Sequence, residues 1–167
     1  ARVLGLGFPG GPEIEKFASR TEEKYHFPRA WMKGTDYFSF SGMKTALINL
    51  TSEKIKDISE NYTNLDRQLT INKLANSFQD AMVDVLVKKT VDVTTRERCN
   101  GIILSGGVAA NSRLRLLMKE SSPVPVLVPP KNLCTDNGAM IAACAFFKMK
   151  SRISRSLFLE PIPDKSW

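Results

Sequence analysis

Ile102-Ile103-Leu104-Ser105-Gly106-Gly107-Val108-Ala109-Ala110-Asn111 is the stretch whose reading decides the fold. Three apolar residues, two of them β-branched, predict a short buried strand. Two glycines follow, and Asn111 then opens an amphipathic run from Ser112 to Glu120. A strand, a Gly-Gly turn and a helix bring bare backbone against a ligand. Glycine lacks a Cβ, so main chain approaches closely and takes positive φ. The free N–H groups of the first helical turn then face the same spot. From two glycines alone, a tight turn without a ligand is the better reading.

A second motif changes the balance. Val124-Pro125-Val126-Leu127-Val128 reads as another strand, and Pro129-Pro130 punctuates the gap. Cys134-Thr135-Asp136-Asn137-Gly138-Ala139-Met140 then opens a helix from Gly138 to about Met149. On spacing alone, Asp136 or Thr135 is first of all an N-cap, worth ~1 kcal/mol. The functional alternative is a carboxylate at the mouth of the cleft lined by Gly106-Gly107, binding a hard cation or a sugar hydroxyl. The two strands with Ser112–Glu120 between them make a βαβ unit, hence parallel strands.

Upstream, Ala1 to Leu4 reads as a helix end stopped by Gly5. Gly10-Gly11-Pro12 starts a helix whose apolar face carries Ile14, Phe17 and Ala18. Tyr25 to Ala30 is extended. Asp36 to Phe40 alternates polar and aromatic residues, as a short strand or a packed aromatic corner does. Ser41 caps a helix from Met43 to about Leu50, with Lys44 a candidate contact for RNA or an acidic group. Thr51 to Asn64 is a polar connection. Asp66 to Thr90 is the longest periodic segment. Leu69, Leu74, Phe78, Met82, Val85 and Leu86 recur at three- and four-residue steps, an amphipathic core helix. Ala139, Ile141, Ala142, Ala145 and Phe146 fit the last helix for close approach to the sheet. Ser151 to Trp167 reads as a docking tail, non-helical around Pro161 and Pro163.

The 167 residues are 43% apolar and 25% charged, one ordinary soluble domain or part of a larger one. No apolar run is long enough to span a membrane. Cys99, Cys134 and Cys144 form no CxxC and read as reduced thiols of an intracellular protein. The net charge of +7 suits an RNA partner. Three basic clusters recur: Lys88, Lys89, Arg96 and Arg98; Arg113, Arg115 and Lys119; Lys148, Lys150, Arg152 and Arg155. Each alone is a solvated face, and together they suit phosphate contact. One histidine, His26, excludes a multi-histidine metal site from this chain alone. A metallopeptidase reading finds no HExxH and no nucleophile–base pair.

SGGVAAN followed by CTDNGAM resembles the second half of the tRNA threonylcarbamoyladenosine transferase family. Gly7-Phe8-Pro9-Gly10-Gly11-Pro12 and Phe38-Ser39-Phe40-Ser41-Gly42-Met43-Lys44-Thr45 agree, in the family's order. The resemblance weakens after about Lys150. It implies an α/β fold: a partial actin-like ATPase lobe, ribonuclease H-like, with a short parallel sheet, flanking helices and a helical insertion. It places the partial lobe over residues 1–150, the insertion at about 12–95, the nucleotide-binding βαβ unit and last helix at about 101–150, and a tail at 151–167.

The same resemblance implies transfer of a threonylcarbamoyl group from threonylcarbamoyl-AMP to the tRNA adenosine next to the anticodon. It assigns nucleoside contacts to Gly11, Gly106, Gly107 and Asn111, and a metal ligand to Asp136. The cofactors implied are one divalent metal ion, iron or zinc, and an ATP/adenylate-type ligand. The family's two metal-binding histidines match nothing here, so the chain is expected to be a fragment or split subunit, inactive alone and lacking an N-terminal lobe. Expected partners are tRNA, a paralogous actin-like subunit and a small ATPase, in the cytoplasm or an organelle. The alternative is a non-catalytic nucleotide-binding or scaffold subunit of the same complex. Two departures stand out: alanines at 109–110 where many members have serine, and Ser112 where arginine is common. The tail also lacks the family's usual ending.

Overall fold

Asn64–Arg96, 33 residues long, forms the helix on which the fold is assembled. A computed structural model describes residues 1–56 and 63–148 of the chain. The long helix starts with a capping box: Thr63 Oγ1 accepts from Asp66 N, and Asp66 Oδ2 accepts from Thr63 N. Two orphan N–H groups are thereby satisfied where the helix begins. In chain order the helices are α1 (Gly10–Ala18), α2 (Ser41–Lys56), α3 (Asn64–Arg96), α4 (Ser112–Ser121) and α5 (Gly138–Lys148). The strands are β1 (Ile102–Ile103) and β2 (Val126–Leu127). Two compact units result, Ala1–Thr135 and Asp136–Trp167.

In the first unit, α3 contributes to three apolar clusters. Leu74 and Ala75 pack with Leu4, Ile14 and Ala18. Ala81 packs with Phe27, Met43 and Leu47. Val83 and Val87 pack with Ile102, Leu114 and Met118. At 100° per residue, Val83 and Val85 point to opposite sides of the helix, and both are buried. The expected one-sided amphipathic helix is therefore a central one, with Leu74 and Val85 in the core and Leu69 39% exposed. It also begins and ends beyond the expected 66–90.

β1 and β2 pair in parallel, Ile102 opposite Val126 and Ile103 opposite Leu127, with α4 between them in sequence, as the βαβ reading expects. Only one face of β1 is covered: Ile102 is 7% exposed and Ile103 77%. The expectation of a wholly buried strand fails there.

Other expectations are corrected. Residues 2–5 form a turn rather than a helix end, with Gly5 N donating to Arg2 O and Gly5 at φ +71°. Asp36–Phe40 is not a strand; its segment is strapped to α3 by side chains. Lys89 Nζ donates to the carbonyls of Met32, Thr35 and Tyr37, and Arg96 forks onto Asp36 at 3.1 and 2.6 Å. Phe38 and Phe40 do stack, at 6.0 Å. Helix α2 runs on to Lys56, through part of the expected polar connection; residues 57–62 lie outside the described ones.

In the second unit, α5 has no buried residue. Phe146 and Phe147 meet edge to face at 5.3 Å while remaining mostly exposed. The tail from 149, with Lys150, Arg152 and Arg155, lies outside the described residues. No described helix is long and apolar enough to cross a membrane.

Candidate functional site

The turn after β1 is built around Gly106, whose φ of +86° belongs to the left-handed region that glycine alone enters without strain. A single 3₁₀ turn, Gly107–Ala110, follows, with Ala109 N donating to Gly106 O at 2.9 Å. Asn111 then caps α4: its Oδ1 accepts from Leu114 N at 2.9 Å. The other end of the same amide is also engaged, Asn111 Nδ2 donating to Gln79 Oε1 of α3 at 2.9 Å.

Arg115 locks this turn from behind. Its Nε donates to Ala109 O at 2.5 Å, and Nη2 reaches Pro129 O at 2.6 Å and Cys134 Sγ at 2.9 Å. The expected role of Arg115 in a phosphate-contacting cluster gives way to this strap. The first N–H of α4 is not open either. Ser112 N donates to Glu15 Oε1 of α1 at 2.8 Å, and Lys131 Nζ donates to Ser112 Oγ. The expectation of free N–H groups facing a ligand at this helix start is therefore corrected. The electropositive helix end attracts an anion as it should, and the chain supplies the carboxylate itself.

Gly11 and Asn111 come to the same cavity, about 270 Å³, walled also by Ile14, Phe78, Gln79 and Met82. Ligand pockets run from roughly 300 Å³ upward, so the space suits a small flat group. A Cβ placed on Gly11 meets no atom within 4 Å, whereas one on Gly10 would sit 3.0 Å from Ala1 Cβ. Gly11 is helical and needs no positive φ. Neither backbone strain nor crowding requires glycine there, and its missing side chain leaves the cavity open.

The structure brings together only part of the expected set. Gly106 and Gly107 shape the turn but are not among the residues lining the cavity; Val108 and Asn111 of that turn are. A Cβ on Gly107 would make ordinary contact with Thr135 Cγ2 at 3.9 Å.

Asp136 belongs to the second unit and is exposed. The helix cap there is neither Asp136 nor Thr135 but Asn137, whose Oδ1 accepts from Met140 N at 3.0 Å. Among the described residues no three His, Cys, Asp or Glu side chains gather as a metal site. One exposed carboxylate is far short of a coordination shell, so the residues present do not by themselves fit a bound metal.

Sequence reasoning missed Gln79 and the polar stripe of α3. Asn76, Asp80 and Asp84 recur at four-residue steps and hold the segment before α2. Asn76 Nδ2 donates to Thr21 O at 2.8 Å, while Arg29 bonds Asp80 at 2.9 Å and Asp84 at 3.0 Å. That spacing was the available signal. A larger groove, about 700 Å³, lies between residues 31–36 and the end of α3. Its Lys89 and Arg96 are the straps described above, and the Arg96 guanidinium holds the Asp36 carboxyl below its usual range. Lys88 stands over the Trp31 ring at 5.3 Å. Lys44 is exposed on α2.

The family model described as tRNA N6-adenosine threonylcarbamoyltransferase matches residues 1–143. A protein of that name from Dehalococcoides mccartyi is 40% identical over 166 residues, covering 99% of this chain and 47% of the relative. One from Thermosipho africanus is 43% identical over 169 residues, covering 98% and 48%. One from Moorella thermoacetica is 43% identical over 169 residues, covering 98% and 47%. The chain thus spans about half the length of the curated relatives it matches.

Proposed function

Because this chain belongs to the tRNA N6-adenosine threonylcarbamoyltransferase family, we propose that it forms the nucleoside-holding part of such an enzyme. The enzyme carries a threonylcarbamoyl group from threonylcarbamoyl-AMP to the tRNA adenosine next to the anticodon. The observation that supports this reading most is the meeting of Gly11 and Asn111 at one small cavity. Its apolar walls take a purine face, and its amide edge supplies hydrogen bonds without charge.

In the reaction, the exocyclic amine of the tRNA adenosine forms a bond to the carbamoyl carbon. The bond from that carbon to the phosphate oxygen breaks, AMP leaves, and the amine loses a proton. This chain's part is to hold the donor's adenosine so that the carbamoyl carbon is fixed for attack. The Gly106 turn and the Arg115 strap keep Asn111 in place for that task.

The architecture proposed is the partial actin-like lobe over 1–150, followed in sequence by a tail at 151–167. The α/β arrangement of five described helices and a parallel two-stranded sheet supports it. Asp136 is proposed as one ligand of a divalent metal, iron or zinc, completed by groups outside this chain. The charge of +7 supports tRNA as a partner, alongside the paralogous actin-like subunit and small ATPase the resemblance implies, in the cytoplasm. The 167 residues alone should form no product.

The test is a Gly11→Leu substitution in the gene, with N6-threonylcarbamoyladenosine in cellular tRNA measured by mass spectrometry. The modified nucleoside should fall at least ten-fold while protein abundance holds. An unchanged level would sink the reading.

A further inference from the structure

Gln79 stands where two recesses meet. It lines the cavity shared by Gly11 and Asn111, and also a second hollow of about 250 Å³ walled by Glu15, Glu22, Lys24 and Arg113. Its orientation follows from a chain of constraints that begins at the backbone. Leu114 N–H must find an acceptor at the start of α4, and it takes Asn111 Oδ1. That turns Asn111 Nδ2 toward Gln79, 2.9 Å from Oε1. A nitrogen can be met there only by an oxygen, so Gln79 presents Oε1 and keeps Nε2 for something else.

Hydrogen counting then describes the polar edge of the cavity. Asn111 Nδ2 carries two hydrogens and gives one to Gln79; Gln79 Nε2 carries two. No acceptor among the described residues takes the remaining ones. Each amide oxygen already accepts one bond and keeps one lone pair. With three unused N–H hydrogens against those two lone pairs, the edge is weighted toward donating, and it carries no charge. Ile14, Phe78, Met82, Val83, Leu86 and Val108 line the same cavity with apolar surface. A flat ring with acceptor nitrogens, or a sugar oxygen beside such a ring, matches that combination.

We propose that Gln79 is a ligand-contacting residue of this site, giving the cavity its preference for acceptor atoms, and the positioning residue that fixes the Asn111 amide. The proposal rests on the nucleoside-cavity reading above.

The two roles separate by substitution. Gln79→Glu keeps an oxygen for Asn111 Nδ2 but replaces the free donor with a second acceptor. Gln79→Met removes both. The experiment titrates adenosine into the isotope-labelled full chain and follows the side-chain amide signals of Gln79 and Asn111 by nuclear magnetic resonance. Both signals should move on titration. Gln79→Glu should weaken adenosine at least ten-fold, with the melting temperature within about 2 °C of the parent. Gln79→Met should weaken it similarly. Gly11→Leu serves as the control for the cavity itself and should abolish binding. Normal binding by both Gln79 variants, with Gly11→Leu inactive, would overturn the role of Gln79 and leave the cavity standing. Normal binding by Gly11→Leu, or no binding by the parent chain, would overturn the cavity reading and this proposal with it. Gln79 signals that stay fixed while others move would overturn the contact alone.

Discussion

Two turns in this molecule lead from an irregular segment into a helix, and they are finished differently. At the first, Asn111 caps α4, and its amide also meets Gln79. Arg115 ties the preceding turn to residues 129 and 134. At the second, capping falls to Asn137, and the neighbouring Asp136 carboxylate remains exposed. One asparagine therefore serves helix and cavity together, while in the other turn Asn137 caps and the adjacent Asp136 carboxylate takes no part in capping. The contrast teaches that a cap residue is not idle for function: at Asn111 the cap bond decides which end of the amide faces the cavity.

The largest effect should come from Arg115→Met, which keeps the stem and removes the guanidinium. Hydrogen bonds to charged groups contribute about 1.5–3 kcal/mol each at most, not additively, so a loss of about 2–3 kcal/mol is expected in urea unfolding. A loss below about 1 kcal/mol would mean that the first turn holds itself, and the contrast would weaken.

Next come the caps compared directly. Asn111→Ala should cost about 1–2 kcal/mol, because it removes a cap and strands the Gln79 oxygen. Asn137→Ala, at an exposed start, should cost about 0.5–1 kcal/mol. Asp136→Ala caps nothing and should stay within about 0.5 kcal/mol of the parent. Equal costs at Asn111 and Asn137, read from the same denaturation series, would erase the distinction.

The smallest effect concerns a third helix start, that of α3. Asp66 has its carboxyl lowered by the hydrogen bond from the Thr63 side chain, then by that from the Thr63 backbone. Its folded value therefore lies below its unfolded one, near 3.9. The stabilisation is present above about pH 4 and is lost as pH falls through the lower folded value. Asp66→Asn should flatten that part of the stability–pH curve and leave neutral pH little changed. An unaltered slope between pH 4 and 2 would show that the capping box does not carry it.

Much of this was legible in the residues. β-branched Ile102-Ile103, the glycines and the run from Ser112 carried the βαβ unit, because each local preference agrees with the next. The Asp36–Phe40 alternation misled because a strand needs a partner, and the carbonyls of Thr35 and Tyr37 are taken by Lys89 instead. The stripe of α3 read as one face because periodicity registers only apolar positions, whereas Thr70, Asn72, Ser77 and Thr94 are buried too. Gly11 and Asn111, which line one cavity, were singled out through resemblance. Gln79 was not, since a lone glutamine beside Phe78 carries no motif, and its role depends on a bond across 32 residues of chain.

The sharing of α3 among three apolar clusters has a consequence for how the first unit opens. Where each cluster has its own helix, parts of a fold can unfold singly and exchange their amide protons independently. Here no cluster can come apart without loosening α3, and α3 cannot loosen without exposing all three. The amides near residues 74–87 should therefore exchange with solvent in a single event, at the full free energy of unfolding. The protein has, in effect, one lock rather than three.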